Sequence, residues 1–211
     1  MDRFVLTENI RRFRQRLAEP LDDASTASLQ AMLAASEREL ALLDAARAGV
    51  GTRWDHMSAE DRSDAETEAR AWFVHAYAEA PTLAALIDPK PGLAIVDVNG
   101  AYEFATGMTY GQLAGKPLFE LFPDNPSDPA ANGVANLYAS LRTVAETGQE
   151  HVMALQRYDT RDAHGRWIER YWRPVNRPVL AGDGELVYLL HVVEEATAEV
   201  LAGQSEGDRR G

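Results

Sequence analysis

The chain of 211 residues contains no cysteine. That absence excludes disulfides, thiolate metal sites and a cysteine nucleophile, and it fits a reducing compartment. Basic residues are also scarce: 21 Lys and Arg against 33 Asp and Glu leave a formal net charge of −12. Nucleic-acid binding needs a basic patch to displace counterions from phosphate, so this balance argues against it. Acidity of this kind serves solubility. No stretch approaches the ~20 apolar residues of a membrane helix. The charged start Met1-Asp2-Arg3 leads into no apolar signal-peptide core. A soluble cytoplasmic protein is expected, with no nucleic-acid or membrane partner.

Metal and catalytic patterns are missing too. The five histidines lie in different elements, without the spacing that zinc ligation favours. The acidic pairs Asp22-Asp23 and Glu194-Glu195 are adjacent in sequence, so on regular elements they diverge rather than converge. No catalytic residues and no enzyme activity are expected.

What is present is an apolar content of 45%, enough for a real core. Residues 1–50 read as a helical hairpin. Thr7 is a plausible N-cap, with Ile10, Phe13 and Leu17 on one face and Arg11, Arg12, Arg14 and Arg16 on the other. Ser25 can cap a second helix whose apolar stripe is Leu29, Met32, Leu33, Leu40 and Leu43. The arginines suit either a solvated face or an acidic partner. Gly49-Val50-Gly51-Thr52 reads as a hinge. Residues 51–81 then form a linker and an amphipathic helix, capped by Ser58 and carrying Trp72, Phe73, Ala76 and Tyr77 on its aromatic face.

Beyond residue 82 the rhythm changes. Leu83 to Ile87 and Leu93 to Val98 are short apolar runs separated by Pro-Gly turn chemistry, as in a strand hairpin. Glycine-broken one-turn helices follow, then a longer helix from Asn132 to Thr147 ended by Gly148. Three strand candidates close the unit: His151 to Asp159, Gly165 to Val175 and Glu185 to Glu194. The turns between them are Ala163-His164-Gly165 and Gly182-Asp183-Gly184. Ala198 to Gly211 read as a flexible polar tail.

The stretch Gly92–Gly115 carries a likeness to a known family. Its fragments Val98-Asn99, Ala101-Tyr102, Ala105-Thr106-Gly107 and Leu113-Ala114-Gly115-Lys116-Pro117 resemble a PAS domain. So does Glu195-Ala196-Thr197, although glutamate stands there for the usual aspartate. The resemblance covers 82–197 and implies an α+β fold, a five-stranded antiparallel sheet with short helices on one face. The N-terminal hairpin and the linking helix precede it. It also implies a cytoplasmic signalling role without catalysis: sensing a small molecule, mediating protein contacts, or both. The implied partners are a second copy of the chain, through the N-terminal helices, and a histidine kinase or similar signalling protein. The alternative is a constitutive scaffold or dimerisation adaptor whose cavity is filled by its own side chains.

Ligands in PAS domains sit between the concave sheet face and the helices. Strand alternation, anchored on Arg173-Pro174-Val175, turns Ile168, Arg170 and Trp172 inward. It does the same for Leu155 and Arg157, and for Leu189, His191 and Val193. Arg157, Arg170, Trp172 and His191 are therefore the candidate ligand-binding residues. A one-residue slip would invert each assignment. Buried guanidinium needs compensation: an internal acid such as Asp159, Glu169 or Glu103, backbone carbonyls, or a small anionic or carbonyl-bearing ligand. No resident cofactor is expected. A flavin photoadduct is excluded by the lack of cysteine. The long helix lacks the histidine that haem-binding members supply, leaving only His191 or His151 on strands as iron ligands.

Overall fold

The computed structural model describes residues 2–51, 58–162 and 164–208. Thr52 of the expected hinge, Ala163 of the expected turn and residues 209–211 of the expected tail lie outside the described residues. None of the described helices is long and apolar enough to cross a membrane.

Two helices open the chain, α1 (Arg3–Leu17) and α2 (Asp23–Ala48). Aspartates cap both, rather than the expected Thr7 and Ser25. Asp2 accepts from the Phe4 N–H at 3.1 Å and Asp22 from the Ser25 N–H at 2.8 Å, because each satisfies an amide of the first turn that has no intrahelical partner. Leu6 and Ile10 of α1 are buried, while small residues of α2, Ala34, Ala41 and Ala45, let helices approach closely. The larger stripe of Leu29, Leu33, Leu40 and Leu43 is half-buried. Two ion pairs tie the hairpin together. Arg3 meets Asp44 through Nε–Oδ1 at 2.8 Å and Nη2–Oδ2 at 3.1 Å, and Arg14 meets Glu37 at 2.6 Å.

The hairpin packs in cis on the longer helix α7 (Gly133–Thr147). Its end is seated rather than hinged: Val50 is buried, and its N–H donates to the Pro89 carbonyl at 3.1 Å. Tyr138 on α7 donates its hydroxyl to the Gly49 carbonyl at 3.0 Å. Gly49 has φ +61, and a β-carbon there would lie 2.0 Å from the Pro89 oxygen. Only glycine fits.

Helix α3 (Ala59–Tyr77) starts at Ser58, whose side chain accepts from the Asp61 N–H. It lies across the outer sheet face with Ala69 and Phe73 buried, and Tyr77 stacks on Phe73. Trp72, expected on the same face, turns its edge to Tyr77 and stays 45% exposed, since adjacent helical positions diverge by about 100°.

The sheet contains β1 (Leu83–Ile87), β2 (Ile95–Val98), β3 (His151–Val152), β4 (Gln156–Arg157), β7 (Tyr171–Leu180) and β8 (Leu186–Glu195) in the order β2-β1-β8-β7-β3. All these pairings are antiparallel. Because β3 and β4 both pair with β7, they form one interrupted edge row, and the sheet has the expected five rows. A separate ribbon, β5 (Thr160–Arg161) with β6 (Trp167–Ile168), extends beyond it. The short helices α4 (Gly100–Thr106), α5 (Tyr110–Leu113) and α6 (Leu118–Leu121) join α7 over the inner face. The segment expected as a tail forms α8 (Thr197–Asp208). Thr197 Oγ accepts from the Tyr171 N–H at 3.0 Å, and Glu195 pairs with Arg170, so the acidic-x-Thr ending closes the sheet.

Candidate functional site

A cavity lies between the inner face of β7 and β8 and the helices α4, α6 and α7. Its empty volume is about 700 Å³ including the mouth that opens to solvent. The sheet contributes Trp172, Pro174, His191 and Val193, and the interrupted edge row contributes Met153 and Gln156. Tyr102, Ala105, Leu118 and Leu137 form much of the helical wall. Among the described residues no Asp, Glu, Lys or Arg lines it.

The expected inward placements of Trp172, His191 and Val193 hold. Trp172 is buried and donates Nε1–H to the Tyr158 carbonyl at 2.8 Å, which fixes its indole as a wall. Those expected of Arg157 and Arg170 do not hold. On the edge row, His151 faces Asn176 and Val152 faces Val175, yet Gln156 faces Trp172 and Arg157 faces Tyr171. The residue numbers of each pair sum to 327 before the break and 328 after it, so one extra residue is accommodated between Val152 and Gln156. A bulge of this kind reverses the face of everything beyond it. Gln156, Tyr158 and Thr160 therefore line the cavity. Leu155 and Arg157 turn outward and are exposed. Arg157 bonds to Asp159 at 3.1 and 3.2 Å and lies 3.3 Å from Glu169. Both acids were among its expected partners.

Arg170 shares strand parity with Trp172 but sits at the rim. Its Nη1 meets both Glu195 oxygens at 2.9 Å, and its guanidinium carbon lies 6.0 Å from the Trp172 ring centroid. Its Nε is buried without a partner. Ile168, also expected inward, is 37% exposed on the outlying ribbon.

His191 belongs to a buried polar chain that periodicity alone did not reveal. Its Nδ1 is 2.7 Å from Asn176 Oδ1, Asn176 Nδ2 donates to Ser140 Oγ at 2.7 Å, and Ser140 Oγ is 2.7 Å from His151 Nδ1. Register brings it together: Asn176 faces both His191 and His151 across its two ladders, while Ser140 comes from α7. The sequence signal was a polar Asn176 among otherwise apolar residues at alternate positions of β7, Trp172, Pro174, Pro178 and Leu180, because a buried amide must find partners. Burial lowers the pKa of His191 to about 4, so the imidazole is neutral near pH 7. Burial also raises the pKa of Tyr102 and Tyr158, and the Tyr158 hydroxyl donates to the Phe122 carbonyl.

The wall is braced from behind. Asp124 Oδ1 accepts from the Val134 N–H at 3.0 Å at the start of α7, and Arg38 of α2 lies 3.6 Å from its other oxygen. Burial raises the Asp124 pKa, and the Val134 N–H and Arg38 oppose that shift. Asn99 caps α4 and accepts from the Ala84 N–H at 3.1 Å, while its amide nitrogen reaches the Tyr77, Ala80 and Thr82 carbonyls at 2.9–3.2 Å. It joins the end of α3 to the first cavity-wall helix.

Residues 77–201 match a family model described as the PAS fold. Among solved structures, the chain is similar to the PAS domain of a protein from Colwellia psychrerythraea. The two are 15% identical over 63% of this chain and 98% of that one, with a TM-score of 0.45. It is also similar to a LOV protein of Rhodobacter sphaeroides, 18% identical over 61% of this chain and 67% of that one, with a TM-score of 0.47. No curated protein matches.

Proposed function

The chain belongs to the PAS fold family, and from that premise we propose that it is a non-catalytic sensory module. It reads a small molecule in the cavity and passes that state on through protein contacts. The observation that carries this reading is the cavity itself, a solvent-reachable space between sheet and helices with a largely apolar wall. A scaffold with a self-filled interior would not have one. Trp172 and His191 are the proposed ligand contacts, and Arg170 guards the rim.

The output side of the proposal is the helical extension. The α1–α2 hairpin rests on α7, a cavity wall, and it leaves Phe4, Val5, Met32 and Leu42 exposed on its outer surface. That surface is the proposed site of self-association, and a signalling protein of the histidine-kinase kind is the proposed downstream partner. Occupancy that favours one arrangement of α7 would bias the hairpin by its differential affinity for the two arrangements.

The test uses N-phenyl-1-naphthylamine, a neutral fluorophore that brightens in apolar surroundings. The full chain should show saturable, one-site enhancement. Ala105→Trp, which fills the cavity from α4, should abolish it with circular dichroism unchanged. Equal enhancement in both proteins would refute the cavity as a ligand site.

A further inference from the structure

The polar groups of the cavity narrow the chemistry it can accept. Most are already engaged within the protein. Trp172 Nε1 is used by the Tyr158 carbonyl and the Tyr158 hydroxyl by the Phe122 carbonyl. Thr106 Oγ donates to the Tyr102 carbonyl at 2.8 Å. Gln156 Oε1 accepts from Asn136 at 2.7 Å, and its Nε2 donates to Ala154 at 3.0 Å.

The hydroxyls of Tyr102 and Thr160 also line the cavity and can donate or accept, whereas His191 offers a fixed role, because its tautomer follows from its neighbour. Asn176 Nδ2 donates to Ser140 and lies 3.4 Å from Met153 Sδ, a sulfur that can only accept. The amide nitrogen therefore points that way, and Oδ1, which can only accept, faces His191 Nδ1 at 2.7 Å. The ring proton must sit on Nδ1. Nε2, on the ring edge away from Asn176 in a side chain that lines the cavity, then carries a lone pair.

We propose that the cavity takes a neutral, largely apolar molecule carrying one hydrogen-bond donor, of the phenol class, which donates to His191 Nε2. This rests on the reading of the cavity as a ligand site. An anion would be stripped of water among walls that offer no cation, since Arg157 turns outward onto Asp159 and Arg170 at the rim is neutralised by Glu195. A cation would meet no carboxylate. A molecule without a donor would cover Nε2 and leave a buried acceptor unpaired, a penalty worth about tenfold in affinity or more. The aromatic rings of Trp172 and Phe122 in the wall suit an aromatic body.

Three naphthalenes of similar shape test this by calorimetry on the full chain at neutral pH. 2-Naphthol should bind one-to-one and about tenfold more tightly than 2-methoxynaphthalene, with 2-naphthoate weakest. Equal affinity for naphthol and its methyl ether, tightest binding of the naphthoate, or no binding by any of the three overturns the proposal. Where N-phenyl-1-naphthylamine still enters the cavity, such a result removes the ligand class and leaves the ligand-site reading standing. Where the fluorophore also fails, the ligand-site reading falls with it. His191→Leu should equalise naphthol and its ether. Nitrogen-15 NMR of the unsubstituted protein provides a check that needs no variant. It should show an unprotonated His191 Nε2 whose resonance moves on adding 2-naphthol, and a protonated Nε2 in the free protein sinks the proposal.

Discussion

Gly133 shows how tightly single residues set the cavity wall. A β-carbon there would lie 1.9 Å from Cδ2 of the Tyr158 ring and 3.2 Å from Asp124 Oδ1. The ring cannot swing aside without losing its bond to the Phe122 carbonyl. Gly133→Ala should therefore cost about 1–3 kcal/mol by overpacking, measured by urea denaturation. Adding Tyr158→Ala should recover part of that cost, and strict additivity of the two would show that the ring is not the obstacle. His191 makes a prediction about pH. Its folded pKa of about 4 lies below the ordinary 6.5, so the unfolded chain binds the proton first as pH falls. The stability linked to this group is present above about pH 6.5 and is lost as pH drops toward 4. Between pH 7 and 5 the protein should lose about 2 kcal/mol through this group. His191→Gln, which keeps a donor for Asn176, should show that much less acid sensitivity in urea titrations at the two pH values.

At the scale of elements, two joints hold the helices to the sheet. Asn99 satisfies amides at the starts of β1 and α4 and carbonyls at the end of α3. Asn99→Ala removes the cap and strands buried backbone groups, at a cost of about 2–4 kcal/mol in thermal or chemical unfolding. Gly49 is the joint for α2. Gly49→Ala should cost about 1–3 kcal/mol and speed amide exchange in the last turns of α2, while exchange in β7 and β8 stays slow. Equal acceleration everywhere would mean that the hairpin and sheet open as one unit. The sequence revealed the elements but misjudged this joint. Gly49-Val50 has the composition of a hinge, and only its docking against Pro89 and Tyr138 makes it a fixed point. Likewise Arg157 has the right residue type at the right parity. The one-residue bulge that turns it outward leaves no signal in hydrophobic alternation, because Leu155 and Gln156 are tolerated on either side of an edge row.

For the whole molecule, the cis packing of the N-terminal helices sets how two copies could meet. The hairpin spends one face on α7 and the outer sheet face is covered by α3, and on the hairpin itself Phe4 is the most exposed of the large apolar side chains, at 76%. Size-exclusion chromatography with light scattering should give twice the chain mass at micromolar concentration, and Phe4→Glu should halve it. A monomer before any substitution would remove self-association through this face.

The order of strands, short helices, long helix and closing strands was legible in the sequence, because periodicity and turn residues are local properties. So was the inward placement of Trp172 and His191 on uninterrupted strands. Tertiary structure alone decided which charges the cavity keeps out. Whether an arginine faces a ligand or an internal acid depends on a register shift and on partners distant in sequence, as with Arg170 and Glu195. It also decided the tautomer of His191, since Asn176, Ser140 and Met153 reach one another only through strand pairing and a helix laid across it.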